Sequence, residues 1–344
     1  MSLAPQPWHA VVIGPQDMAD VQALFAEVFG APLPAPLWQW KYGQGRGVAA
    51  GTRAGDGRLL AHYGGTARVL QVQGRALNSL QACDVMVAQQ ARGVLSRRSG
   101  PYATAALGFL QGFVGTPGGF ACSFGFPNDR AARLSEVLGL YQRTGRILAL
   151  QWPRLALPGG GGWGSAWGWR WRYDPVDWAD AATAQRLQRL WLQLRDSPQL
   201  RDCVLPQRDA AWWQHRFANH PTLGYRCFWL RARWSGRVLG ALALRPGAQA
   251  GEDWELLDWL AAPELAPLVL TAARRVCAEL GGCGMQAWVS QALAERLLAA
   301  PQLADAQSQT ACAFGVSMRR HTQPADAGAP GLWWWLTGGD TDFR

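Results

Sequence analysis

The chain has 344 residues, 49% hydrophobic and 17% charged, which is too apolar for a disordered chain and too long for one small core, so two domains are expected. Its net charge of +9 comes from 13 basic against 7 acidic side chains in residues 1–150 and 20 against 17 in the rest. No Lys/Arg run marks a nucleic-acid arm or a polybasic membrane anchor, so the excess suits a local anionic ligand rather than a polymer.

Met1–Gly14 lacks the charged-then-apolar pattern of a secretory signal, and the apolar stretch Leu260–Ala273 is broken by Pro263, Glu264 and Pro267, so no membrane span is expected. Seven cysteines without a C-x-x-C pair give neither a disulfide framework nor a zinc ribbon. A cytoplasmic protein without a metal is the expectation. Lys41 is the sole lysine, which reads as a compositional preference for arginine, and 20 tryptophans are an unusual number.

His9–Ile13 reads as a strand, and Pro15–Phe29 as an amphipathic helix with Val21, Leu24, Phe25 and Val28 on one stripe and Gly30 as its stop. A Trp38-x-Trp40-Lys41-Tyr42-Gly43 patch follows. Three antiparallel strands are expected at about 48–54, 58–69 and 76–87, turning at Gly55-Asp56-Gly57 and Gln73-Gly74. Pro101 suits the first turn of a helix reaching about Gly115; then come a strand Phe120–Phe124, a helix Asn128–Leu138 ended by Gly139, and a strand Arg146–Gln151.

Residues 153–178, rich in Gly and Trp, read as a connector between a domain at 1–152 and a second at 179–344. Its interleaved tryptophans are a carbohydrate-stacking surface or, more simply, packing. The second half repeats the plan, with a helix at 181–195, a Trp212–Phe217 patch like that at 38–42, strands at 225–234, 237–245 and 253–260, a helix at 264–280, a strand at 285–289 and a helix at 291–299. The fold class is α+β, with mixed, mainly antiparallel twisted sheets flanked by helices.

The chemistry concentrates between Asp84 and Tyr141. Val87-Ala88-Gln89-Gln90-Ala91-Arg92-Gly93 follows the third central strand, and Arg92, Arg97 and Arg98 gather before Ser99-Gly100 and the helix at Pro101. A helix start with guanidinium groups beside it is suited to an anion. Further on, Asn128, Ala131, Leu134, Gly139 and Leu140 keep the spacing N-x-x-A-x-x-L, then G-L.

With this order of elements, the segment resembles the GCN5-related N-acetyltransferase (GNAT) superfamily, in its bacterial tandem form with two such domains. The resemblance implies an N-acyltransferase, most simply an N-acetyltransferase, that carries an acetyl group from acetyl-CoA or another acyl-CoA to an amine on a small molecule, amino sugar or polysaccharide precursor. It implies that the pantetheine arm pairs with Val85, Met86 and Val87, that the phosphates lie against Arg92, Gly93, Arg97, Arg98, Ser99 and Gly100, and that Asn128 lies beside the thioester arm. The family's two loop glycines fall on Leu95 and Arg97, a departure.

Where the family often has a tyrosine that protonates the leaving thiolate, this chain has Ser135, a far poorer acid than a phenol of pKa about 10, so Tyr141 is the substitute. Asp84 is the candidate general base, with His62 and Tyr63 behind it. The second half offers no phosphate loop between its fourth strand and the next helix, and is expected to cover or hold the acceptor. Two other readings stand beside this one: a FemAB-like aminoacyl transferase, and a catalytically degenerate binding protein.

Overall fold

The computed structural model describes residues 8–92, 99–156, 170–249, 252–318 and 331–342. The chain divides into two compact units: residues 1–70, 76–145 and 313–329, and residues 71–75, 146–312 and 330–344.

The first half runs β1 (Trp8–Ile13), α1 (Met18–Phe29), α2 (Ala35–Tyr42), β2 (Gly47–Ala54), β3 (Leu59–Val72), β4 (Arg75–Val87), α3 (Pro101–Phe113), β5 (Cys122–Gly125), α4 (Asp129–Val137) and β6 (Gln142–Pro153). The expected order is found, with α2 added where sequence showed only an aromatic patch. Pro34 and Pro36 explain it, because proline costs little around the first turn of a helix. Gly30 ends α1 in the left-handed conformation, φ 71°.

In the first unit the sheet order is β1-β2-β3-β4-β5. β1/β2 and β2/β3 are antiparallel, whereas β4/β5 is parallel. Residues Leu59–Gly65 of β3 are buried on both faces, and from Leu60 onward the side chains of the two faces reach different cores. Leu60 joins Val21, Leu24, Trp38 and Tyr42 beneath α1 and α2; Ala61 and Tyr63 join Ala105, Phe109 and Leu110 beneath α3. Gly64 and Gly65 permit this close approach: a methyl group on Gly64 would lie 2.1 Å from the Tyr42 hydroxyl, and one on Gly65 2.6 Å from Phe109.

The second half comprises β7 (Trp171–Pro175), α5 (Ala182–Arg195), β8 (Cys203–Pro206), α6 (Ala210–Trp213), β9 (Arg226–Ala232), β10 (Val238–Arg245), β11 (Trp254–Leu260), α7 (Ala266–Glu279), β12 (Gly284–Ser290), α8 (Gln291–Leu298), β13 (Gln307–Met318) and β14 (Trp333–Trp334). In the second unit the order is β6-β12-β11-β10-β9-β7, with β8 and β14 a parallel pair off that path. Trp152, Trp213, Trp229, Trp259 and Trp335 are among its largest fully buried side chains, so packing accounts for much of the tryptophan excess.

The units do not follow the linear boundaries read from the sequence. The first closes at Gly145 rather than 152 and takes its last strand from β13, whose Gly315–Met318 pairs antiparallel with Cys122–Gly125 of β5. At the other boundary, Trp171–Pro175, read as part of the connector, is a strand paired with β9. Both edges need a partner for their backbone N–H and C=O groups, and a partner distant in sequence supplies it. Trp163, Trp167 and Trp169 of the connector lie outside the described residues.

Candidate active site

β4 and β5 pair only from Ser79↔Cys122 to Gln81↔Phe124, after which β4 runs on to Val87 while β5 stops at Gly125. At this divergence Asp84 has φ +48°, a left-handed conformation that aspartate tolerates better than most residues. The kink turns its carboxylate inward: Oδ1 accepts from the Lys41 ammonium at 2.7 Å and Oδ2 from the Tyr42 hydroxyl at 2.7 Å. The ion pair is nearly buried, both side chains 5% exposed. Burial would raise the Asp84 pKa, but the Lys41 charge and the Lys41 and Tyr42 hydrogen bonds outweigh it and hold the carboxyl below its usual range.

The main chain of Asp84 holds a second group. Its carbonyl oxygen lies 2.7 Å from Nδ1 of His62, and since a carbonyl only accepts, Nδ1 carries the proton. The other ring nitrogen, Nε2, therefore has its lone pair free, and it is buried without a hydrogen-bond partner. Burial pushes the imidazole pKa below its ordinary value, so the ring is neutral near neutrality. A neutral imidazole with a fixed tautomer and an unspent lone pair can take a proton; a carboxylate engaged at both oxygens is a much weaker base.

On the α3 face of β3, Ser135 Oγ of α4 lies 2.9 Å from the Tyr102 hydroxyl of α3. The position that resembled the family's tyrosine is thus a serine with a phenol brought to it from another helix. Burial raises the Tyr102 pKa, opposed by the Ser135 hydrogen bond, so the phenol keeps its proton. Tyr141 is 2.7 Å from Ser123 Oγ, and burial likewise pushes its pKa up. It belongs to the same cluster as Tyr63 and Tyr102.

Among the residues expected to hold an acyl-CoA, Val85 is 37% exposed and Met86 buried, with Val87 packed at the margin of both cores. Arg92 is exposed and donates from Nε to the Val87 carbonyl at 3.0 Å, back onto the end of β4. The Ser99 carbonyl accepts from Trp8 Nε1 at 2.8 Å, and buried Gly100 is the N-cap of α3, whose Pro101 carbonyl accepts from Thr52. Gly93, Arg97 and Arg98 lie outside the described residues. Asn128 is exposed and spends Oδ1 on the Ala131 amide at 2.9 Å as the cap of α4.

Lys41 and Tyr42 carried no assigned role in the sequence reading, and Tyr102 was not singled out. A signal for the first existed: one lysine in a chain whose 32 other strong bases are arginine. None marked Tyr102, whose hydroxyl gains meaning only from α4. Among the described residues no cluster of His, Cys, Asp and Glu could hold a metal, and no helix is long and apolar enough to cross a membrane.

No family model and no curated protein matches the chain. Solved structures do. A conserved protein of unknown function from Enterococcus faecalis V583, described as a probable N-acyltransferase, superposes with TM-score 0.65 at 13% identity, over 91% of this chain and 73% of that one. A GCN5-related N-acetyltransferase from Anabaena variabilis gives TM-score 0.64 at 12% identity, over 90% and 72%. The N-myristoyltransferase of Saccharomyces cerevisiae, with myristoyl-CoA bound, gives 0.50 at 11%, over 92% and 84%. The fold is that of the GCN5-related N-acetyltransferases, and the likeness takes in both units.

Proposed function

We propose that the chain is an acyl-CoA-dependent N-acyltransferase, most simply an N-acetyltransferase, working in its first unit on a small-molecule amine, amino sugars included. The observation that carries the reading is the divergence of β4 from β5 at Gln81/Phe124, with Asp84 and His62 joined just beyond it and Tyr102 hydrogen-bonded to Ser135 of α4. A strand edge left unpaired within a sheet accepts an extended ligand by backbone hydrogen bonding, as a pantetheine arm with its two amides can. The folds above, one of them with myristoyl-CoA bound, support an acyl-CoA as that ligand.

Two different groups would serve the two proton transfers. His62 Nε2 takes a proton from the amine as its nitrogen attacks the thioester carbonyl carbon. The tetrahedral intermediate then expels the thiolate, the C–S bond breaks, and Tyr102, aligned by Ser135, protonates the sulfur. The proton on His62 passes through solvent to restore the phenol, leaving an amide and free CoA. Asp84 positions the base: its carbonyl fixes the His62 tautomer, and the Lys41 and Tyr42 contacts fix its carboxylate. Most of the acceleration comes from holding amine and thioester together.

Differential scanning fluorimetry with acetyl-CoA and longer acyl-CoAs tests the donor. Near 100 times the dissociation constant, binding adds about 2.7 kcal/mol, a rise of roughly 5–10 °C in the unfolding of the binding unit. A melting temperature unmoved by every acyl-CoA would overturn the reading and favour a different acyl donor.

A further inference from the structure

The second unit repeats the divergence of the first, and the chain's own C-terminal segment fills it. β11 and β12 pair in parallel only from Trp254↔Met285 to Leu256↔Ala287. The far edge of β12 is paired with β6 along its whole length, up to Ser290↔Ile147. A strand has two edges, so the bridge Val289↔Thr337 and the bond from the Ser290 amide to the Leu336 carbonyl, 3.0 Å, lie on the edge facing β11. The segment enters where β11 and β12 separate.

Its fit is close. Trp335, Leu336, Thr337, Asp340 and Thr341 are at most 2% exposed. A methyl group on Gly339 would lie 3.1 Å from Asp258 Cβ and 3.1 Å from the Leu257 carbonyl oxygen, so only glycine seats here without displacement. Arg208, wholly buried, bonds Asp258 at 2.9 Å and reaches Asp340 and Thr337 of the tail. Arg216 donates to the Gly339 and Thr341 carbonyls at 3.0 and 3.2 Å.

These positions match those of the first unit. Asp258 stands four residues before Ala262 and Asp84 four before Ala88, each alanine preceding a single 3-10 turn after its strand. Trp213-Gln214-His215-Arg216-Phe217 follows the pattern of Trp38-Gln39-Trp40-Lys41-Tyr42. In the first unit the cation of this pattern binds the strand aspartate; in the second it binds the tail, and Arg208 takes over the aspartate.

We infer that the second unit keeps a slot for an extended, amide-bearing ligand and that the C-terminal segment, residues 333–341, is its occupant, a peptide held in the place of a pantetheine arm. The chain then takes up one acyl-CoA, not two. That stoichiometry rests on the reading of the first unit as an acyl-CoA site; the occupancy of the second slot does not.

The test uses the chain shortened after Gly331 and a synthetic peptide of residues 332–342. Shortening lowers the melting temperature by about 10 °C or more, and the peptide restores it, saturating at one peptide per chain, while an Asp340→Asn, Gly339→Val peptide restores it at least tenfold less well. A shortened chain that keeps its full melting temperature, or one that the peptide leaves unchanged, overturns the inference. Should the shortened chain fail to fold, hydrogen exchange on the full chain decides: the Ser290 and Leu336 amides exchange as slowly as the core of β12, and exchange at the rate of exposed loops overturns it. Isothermal titration of the full chain with acetyl-CoA gives one site; two would overturn the inference, and none would bear on the proposed function alone, leaving the peptide result to stand.

Discussion

Lysine and arginine are not interchangeable at a buried carboxylate, and Lys41 shows why. Its compact ammonium meets one oxygen of Asp84 and leaves the other to Tyr42, whereas a guanidinium would span both. The second unit uses that alternative, with Arg208 on both oxygens of Asp258. A lone lysine among arginines was visible in the sequence; that its partner is Asp84, 43 positions away, was not, because the pairing depends on the kink in β4. The same kink aims the Asp84 carbonyl at His62. Because burial lowers the His62 pKa, its base form persists at neutral pH, and with His62 as the proposed base kcat/KM should fall only as the pH drops below the ordinary histidine range near 6.5. His62→Gln should lower kcat by about 10²–10⁴ and abolish that acid limb in a pH–rate profile. A variant retaining the limb would place the base elsewhere.

Secondary-structure elements were legible where local chemistry sets them and missed where a distant partner does. α1, α3, α4 and the β2–β4 meander carry their own caps, stripes and turns; the β3–β4 turn, Gln73 at φ +49° and Gly74 at +76°, is the left-handed pair that a tight hairpin demands. By contrast β13, Gln-Ser-Gln-Thr-Ala-Cys-Ala-Phe-Gly-Val-Ser-Met, has no clear alternation, and its last residues are held by β5. β8 is four residues long and pairs with a two-residue strand at 333–334, too short to stand out in a sequence. The helix that most resembled a cofactor motif owes part of that likeness to folding: Asn128 caps α4 and Gly139, at φ +67°, follows its end. Asn128→Ala should therefore cost about 1 kcal/mol of stability in denaturant unfolding while leaving acetyl-CoA affinity within twofold. A large loss of affinity would return Asn128 to the ligand.

At the scale of the whole molecule, the chain forms two compact units, and neither is a contiguous stretch of chain. The first unit includes residues 313–329 and the second residues 71–75. The boundary at residue 152 therefore does not delimit an autonomous domain. Residues 1–152 expressed alone lack the strand that covers β5, leave an edge of four buried residues open, and should be insoluble or aggregated; size-exclusion chromatography of that fragment would show it, and a monodisperse, cooperatively folded fragment would refute it.

Synthesis gives this arrangement an order in time. Gly125 of β5 waits for Gly315, 190 positions later in the sequence. At about 5–20 residues per second, the ribosome leaves that edge uncovered for roughly 10–40 s. Until then the nascent first unit carries an open strand edge, the kind of surface through which partly folded chains aggregate.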